Sequence, residues 1–211
     1  MDPKKQSYKN LADSIIKKFA LRGIEGYYAK DKEEALQQAL KLIEKGSSIT
    51  WGGSETIKQI GMFEAISNGE YELYDRAQAK TEEEQRAFFG KAVTADYFLM
   101  SSNAITMDGE LVNIDGKGNR TACLICGPQN VIVVAGMNKV VKDVEAGIER
   151  SHNVAAPPNA IRLNIDTGCR NLGKCVDCLK DDCMCCHIVV TRKSRVKNRI
   201  KVILVGEELG Y

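Results

Sequence analysis

An alternation limits most strongly what this chain can fold into. Short apolar runs at residues 24–29, 48–51, 71–74, 96–100 and 131–134 are separated by longer segments in which apolar residues recur every three or four positions. That spacing places Tyr8, Leu11, Ile15, Ile16 and Phe19 on one side of a helix over residues 4–20. It does the same for Ala35, Leu36, Ala39, Leu40 and Ile43, and Gly23 and Gly46 close the two helices. Asp31 with Glu34, and Thr81 with Glu84, stand three apart, the pattern of a capped helix start. A run such as Val131-Ile132-Val133-Val134 has no polar face and must be covered on both sides. The alternation therefore predicts a three-layer α/β sandwich, with 48–51, 96–100 and 131–134 in one mainly parallel sheet.

The texture changes after Met100. Asp108-Gly109, Asp115-Gly116 and Gly118-Asn119 punctuate short apolar pieces, which predicts an antiparallel hairpin insertion. Residues 121–126, with Cys123 and Cys126, read as strand-like, and 140–150 as the helix after the Val/Ile strand. Pro157-Pro158 reads as a break, and 166–186 as an irregular cysteine-rich C-terminal loop. Residues 187–191 and 200–205 read as two closing strands joined by a solvated basic hairpin tip. A chain of 211 residues buries about 70% of its unfolded surface without staples, so residues 1–211 are expected to form one α/β domain.

Composition removes several function classes. Thirty Lys+Arg against 28 Asp+Glu leave a net charge of +2, which gives no basic field for nucleic acid. The longest apolar run, 131–135, is too short to cross a membrane, and the polar first ten residues do not form a signal peptide. A cytoplasmic protein with reduced thiols is expected.

Four stretches carry possible chemistry. Gly52-Gly53-Ser54, followed by Thr56, lies between a strand and a helix, where free N–H groups and hydroxyls can cradle an anion; an ordinary N-cap at Ser54 explains the same residues. Residues 103–120 concentrate Asn103, Thr106, Asp108, Asp115, Asn119 and Arg120, and an arginine there can hold a phosphate or carboxylate bidentately. Asn138-Lys139 follows the most apolar strand, at the corresponding sheet edge. Six of the eight cysteines fall in Cys169-x5-Cys175-x2-Cys178-x4-Cys183-x-Cys185-Cys186, with His187 next. Two thiolates two residues apart suit zinc or an iron–sulfur cluster; a dithiol redox site and unliganded thiols are the other readings. With two histidines outside any motif, a hydrolase triad has no support.

Taken together, these stretches resemble the LUD-domain family, the lactate utilization proteins. The likeness rests on Gly52-Gly53-Ser54 and on Ser102-Asn103-Ala104-Ile105-Thr106-x-Asp108-Gly109-x-Leu111-Val112-Asn113-x-Asp115-Gly116-x-Gly118-Asn119-Arg120. It continues through Gly136-x-Asn138-Lys139, Ala156-Pro157-x-Asn159-Ala160-x-Arg162 and Gly173-Lys174-Cys175-Val176-Asp177-Cys178. The resemblance implies a Rossmann-like sandwich similar to sugar-phosphate isomerases, CoA transferases and formyltetrahydrofolate cyclo-ligases. It also implies work beside iron–sulfur partner subunits that oxidise lactate. The chain departs from the family in its cysteine loop, where Cys183 replaces an arginine and Cys186 is extra.

Two functions follow as expectations. One is a subunit or accessory of a lactate-oxidising system that binds a small anionic metabolite or nucleotide. Its anion would lie on Gly52, Gly53, Ser54, Thr56, Asn103, Thr106, Asn119, Arg120, Asn138 and Lys139. Its metal would lie on Cys175, Cys178 and Cys185, with Cys169, Cys183, Cys186 and His187 as further ligands. The alternative is a stand-alone transferase or isomerase, which needs a catalytic carboxylate such as Asp108 or Asp115, or a nucleophilic Glu110.

Overall fold

The computed structural model describes residues 2–211. Helix α1 (Pro3–Leu21) leads to strand β1 (Glu25–Ala29), then α2 (Lys32–Lys41), β2 (Ser48–Trp51), the short helices α3 (Glu55–Gln59) and α4 (Met62–Ser67), and β3 (Glu72–Tyr74). Next come α5 (Glu82–Thr94), β4 (Tyr97–Met100), β5 (Ala104–Thr106), β6 (Leu111–Asp115), α6 (Asn119–Ile125) and β7 (Asn130–Gly136). The chain ends with β8 (Val140–Val141), α7 (Val144–Arg150), α8 (Ala156–Leu163), α9 (Gly168–Leu172), β9 (His187–Thr191) and β10 (Ile200–Val205).

The main sheet is parallel throughout, in the order β1-β10-β7-β4-β2-β3. Its centre is β7, whose period-2 alternation divides the core. Val131, Val133 and Ala135 face α1 and α6, where Ile15, Phe19 and Leu124 pack. Ile132 and Val134 face α2, α3 and α4, meeting Ala35, Ala39, Ile57, Met62 and Ile66. This double burial is why the strand carries no polar residue between 131 and 135. The predicted hairpin forms as β5 and β6, and it belongs to a second sheet, β8-β5-β6-β9. Thr81 and Glu84 form the expected reciprocal cap of α5.

Four local expectations are corrected. Residues 121–125 lie in helix α6, with Cys126 as its extended C-cap: Gly118 turns left-handed at φ 78°, and both Asp115 carboxylate oxygens accept N–H groups at the helix start, from Gly118 (3.1 Å) and Thr121 (2.9 Å). The segment after β7 makes a 3-10 turn and the short β8 before α7 begins at Val144. Pro157-Pro158 does not break the chain. Residues 144–163 stay helical because a π-turn at Ser151–Ala155 shifts the hydrogen-bond register just where proline N–H groups are missing. Residues 192–199 are not a hairpin tip, since β9 pairs with β6 and β10 lies between β1 and β7. Arg199 instead donates to the carbonyls of Leu124 (2.6 Å), Cys123 (2.8 Å) and Pro128 (2.9 Å), closing the end of α6.

Candidate functional site

After β2 the chain moves outward to β3, then returns to place β4 on the other side of β2. Loops leaving β2 and β4 therefore diverge, which opens a crevice at the carboxyl ends of the strands. A cavity of about 370 Å³ lies there. The turn after β2 lines it with Gly52, Gly53, Ser54 and Thr56; the end of β4 contributes Ser101, Ser102 and Asn103; the turn after β7 contributes Lys139. Five basic side chains, Arg76, Lys117, Arg120, Lys139 and Arg162, face it against the two carboxylates Glu55 and Asp115.

Ser54 is the N-cap of α3, accepting from the Ile57 N–H at 3.3 Å. Gly52 lets the turn pass close to Arg120: a Cβ there would lie 3.1 Å from Cδ and 3.2 Å from Cγ of the arginine, which would have to shift. The expected meeting of the glycine turn with Arg120 thus occurs, although the arginine is already engaged. Its Nη1 donates to Asn113 Oδ1 (2.6 Å) and Ser101 O (3.2 Å), and its Nη2 to Ile114 O (2.7 Å) and Asn103 Oδ1 (2.9 Å). Arg120 ties the end of β4, β6 and α6 together in the cavity wall. Burial lowers its pKa, against the opposing charge of Asp115.

Lys139 occupies the opposite condition. It is 4% exposed, and its Nζ donates to Thr56 Oγ1 and Ser101 Oγ, both at 3.0 Å. Loops from three neighbouring strands converge on this amine. Among the described residues it forms no ion pair. Burial first, then the nearby Arg150 and Arg120 charges, push its pKa down to about 7. The turn that aims it is fixed by Asn138, whose Oδ1 accepts from Leu209 N–H (3.1 Å), and by Met137 N–H donating to Glu207 O (3.1 Å).

The remaining expectations separate into two groups. Asn103 and Asn119 line the cavity with the residues above. Asn138 holds the turn but lies outside the lining, and Thr106 is bonded to Glu110 inside the β5–β6 hairpin. Asp108 sits exposed on that hairpin, 3.3 Å from Lys18 Nζ. Asp115 is occupied in capping α6, and Glu110 pairs with Arg22 at 2.6 Å. None of these three carboxylates faces the cavity as a free base or nucleophile. Sequence reading missed Arg76, Ser101, Lys117, Arg162 and Tyr211. Arg162 was visible in the Ala156-to-Arg162 motif; its Nη2 would lie 3.8 Å from a Cβ at Gly53. The Tyr211 hydroxyl is buried at the cavity without a partner among the described residues.

The cysteine loop reaches the cavity through Met184 and Cys185. All eight cysteines are free. Burial, then the neighbouring Cys183, Cys169, Cys175 and Cys178 thiols, raise Cys185 to about 12. Yet among the described residues no three His, Cys, Asp or Glu side chains are placed to hold one metal ion, so the set Cys175, Cys178 and Cys185 is not assembled as a coordination sphere. His187 packs over Gly118, 3.5 Å from where a Cβ would stand. Iodoacetamide at neutral pH is expected to modify the exposed Cys126 and Cys186 first. Cys123, buried and raised to about 11, should react only on unfolding, and Cys185, which lines the cavity but is raised to about 12, should react slowly; peptide mass mapping against time reads the order.

Fold and cavity define an α/β protein with a basic crevice at the carboxyl edge of a parallel sheet. The chain belongs to the LUD-domain family, whose LUD domain matches residues 12–205. A DUF162-family protein from Deinococcus radiodurans, known from a crystal structure, is similar with a TM-score of 0.53 over 94% of this chain and 98% of that one. At 13% identity that likeness is one of fold. eIF2B delta from Chaetomium thermophilum gives a TM-score of 0.35 at 15% identity, over 64% of this chain and 50% of its own, too slight to bear on the fold. No curated protein sequence matches the chain.

Proposed function

We propose that this LUD-domain protein is of lactate-utilization type. It binds a small anionic metabolite or nucleotide in the basic crevice, as a subunit or accessory of a lactate-oxidising iron–sulfur system in the cytoplasm. The observation that carries the reading is the imbalance of five basic side chains over two carboxylates around a cavity of about 370 Å³. The two carboxylates offset two of the five basic groups, Asp115 lying 4.0 Å from Arg120 and Glu55 3.8 Å from Arg162, and Arg76 and Lys117 are left over, so positive charge dominates the crevice. The size suits a metabolite or one nucleotide.

Calorimetric titration with pyruvate, L-lactate and ADP tests the binding. At least one should bind, more weakly at high salt, and Arg162→Met should weaken it about tenfold, the loss of one charge-assisted hydrogen bond. Binding by none of the three, or equal binding by the variant, contradicts the reading. Partnership is tested by anaerobic pull-down with the tagged chain, which should retain iron and sulfide with its partners.

A further inference from the structure

We propose that Lys139 is a nucleophile whose amine condenses, inside the crevice, with the carbonyl carbon of a small aldehyde or ketone bearing a carboxylate or phosphate. The inference rests on the preceding reading of the crevice as an anion site, and adds a reacting atom and a substrate class.

Among the described residues Lys139 is the one buried lysine. A buried ammonium ordinarily has a carboxylate beside it; here the neighbours are two hydroxyls at 3.0 Å, and the nearby charges are the guanidinium groups of Arg120 and Arg150. Thr56 Oγ1 also faces the Leu209 carbonyl at 3.3 Å, which it can donate to while accepting from the amine. The surroundings thus suit an uncharged amine, the form that attacks carbonyls, and desolvation beside another cation is a recognised way to obtain it. The chain also shapes the approach. Gly210 is left-handed, φ 58°, and a Cβ there would lie 3.2 Å from Lys139 Nζ, so only glycine lets the 209–211 segment close over one side of the amine. The amine still lines the crevice, together with Arg162 and the Tyr211 hydroxyl.

The step balances without an oxidant. Nζ adds to the carbonyl carbon as the C=O π bond opens, and one amine proton passes to the oxygen, giving a carbinolamine. The C–O bond then breaks, and the oxygen leaves as water with the second amine proton. A neutral C=N bond to Nζ remains. The Thr56 and Ser101 hydroxyls lie within reach of both proton transfers, while the basic lining holds the anionic group.

The test is borohydride trapping on the intact wild-type chain, with pyruvate, dihydroxyacetone phosphate and acetone in separate reactions. Trapping should add the mass of the probe less one oxygen atom, and peptide mapping should place it on Lys139 in saturable fashion. Pyruvate alone reacting identifies a carboxylate as the anchor, and dihydroxyacetone phosphate alone a phosphate. Acetone reacting as well as both overturns the anion requirement. Labelling scattered over surface lysines, with Lys139 unmodified, overturns the nucleophile. Mapping on wild type does not depend on a variant folding; Lys139→Met should lose the saturable adduct. Calorimetric binding of either anion without an adduct defeats this inference alone. No binding of any anion defeats the underlying site reading.

Discussion

Arg120→Met is expected to lower stability by about 3–5 kcal/mol, the range for removing one member of a buried, fully bonded charged network. The guanidinium makes four hydrogen bonds to acceptors on two segments, Ser101 O and Asn103 Oδ1 after β4, and Asn113 Oδ1 and Ile114 O in β6. Methionine fills part of the volume but leaves these acceptors short of donors, including Asn113, which is 0% exposed. For a chain of this size the melting temperature should fall by roughly 10 °C. Arg120→Lys should recover little, because one ammonium cannot satisfy a forked set of acceptors. Scanning calorimetry of both variants checks the expectation. Arg120→Lys at wild-type stability would show that charge alone suffices there.

Lys139→Met should act in the opposite direction on stability. With a folded pKa near 7 against an ordinary 10.5, the folded chain releases a proton that the unfolded chain keeps. The stability associated with the neutral amine is therefore fully present above about pH 10.5 and is lost as pH falls toward 7. Methionine is nearly isosteric and does not titrate. The variant should exceed wild type by up to about 5 kcal/mol below pH 7, less whatever the Thr56 and Ser101 hydroxyls lose as partners, and the gap should shrink as pH rises through the window from 7 to 10.5. Denaturant titrations across pH 6–10 read this directly. A pH-independent gap, or a variant less stable at pH 6, would show that the lysine is held as a charged group.

The centre of the main sheet was legible because β4 and β7 are nearly continuous apolar runs, and Val131 to Ala135 permits burial on both faces alone. The helix caps at Asp31 and Thr81 were equally plain, since their chemistry is local. What escaped depended on partners distant in sequence. Residues 121–126 are apolar and short, a pattern shared by strand and helix, and the deciding cap comes from Asp115 on the preceding strand. Strands β9 and β10 lie nine residues apart, yet belong to different sheets because Arg199 anchors the connection to α6. At the site, sequence gave the residue types and not their occupancy. Arg120 reads as an anion clamp until its four acceptors are counted, and Lys139 reads as a solvated lysine until it is found buried between Thr56 and Ser101. The cysteines show the same limit: spacing allows a metal centre, while the fold brings the thiols near Cys185 without arranging them about one point.

The crevice at the ends of β2, β4 and β7 is the proposed ligand site. The most direct measurement is amide chemical-shift mapping of the labelled chain during titration with pyruvate. Shifts should concentrate at Gly53, Ser54, Thr56, Ser101, Asn103 and Lys139, saturate together, and weaken in Arg162→Met. Shifts confined to a separate surface depression lined by Lys4, Lys5 and Glu207, or spread over the surface without saturation, would contradict it.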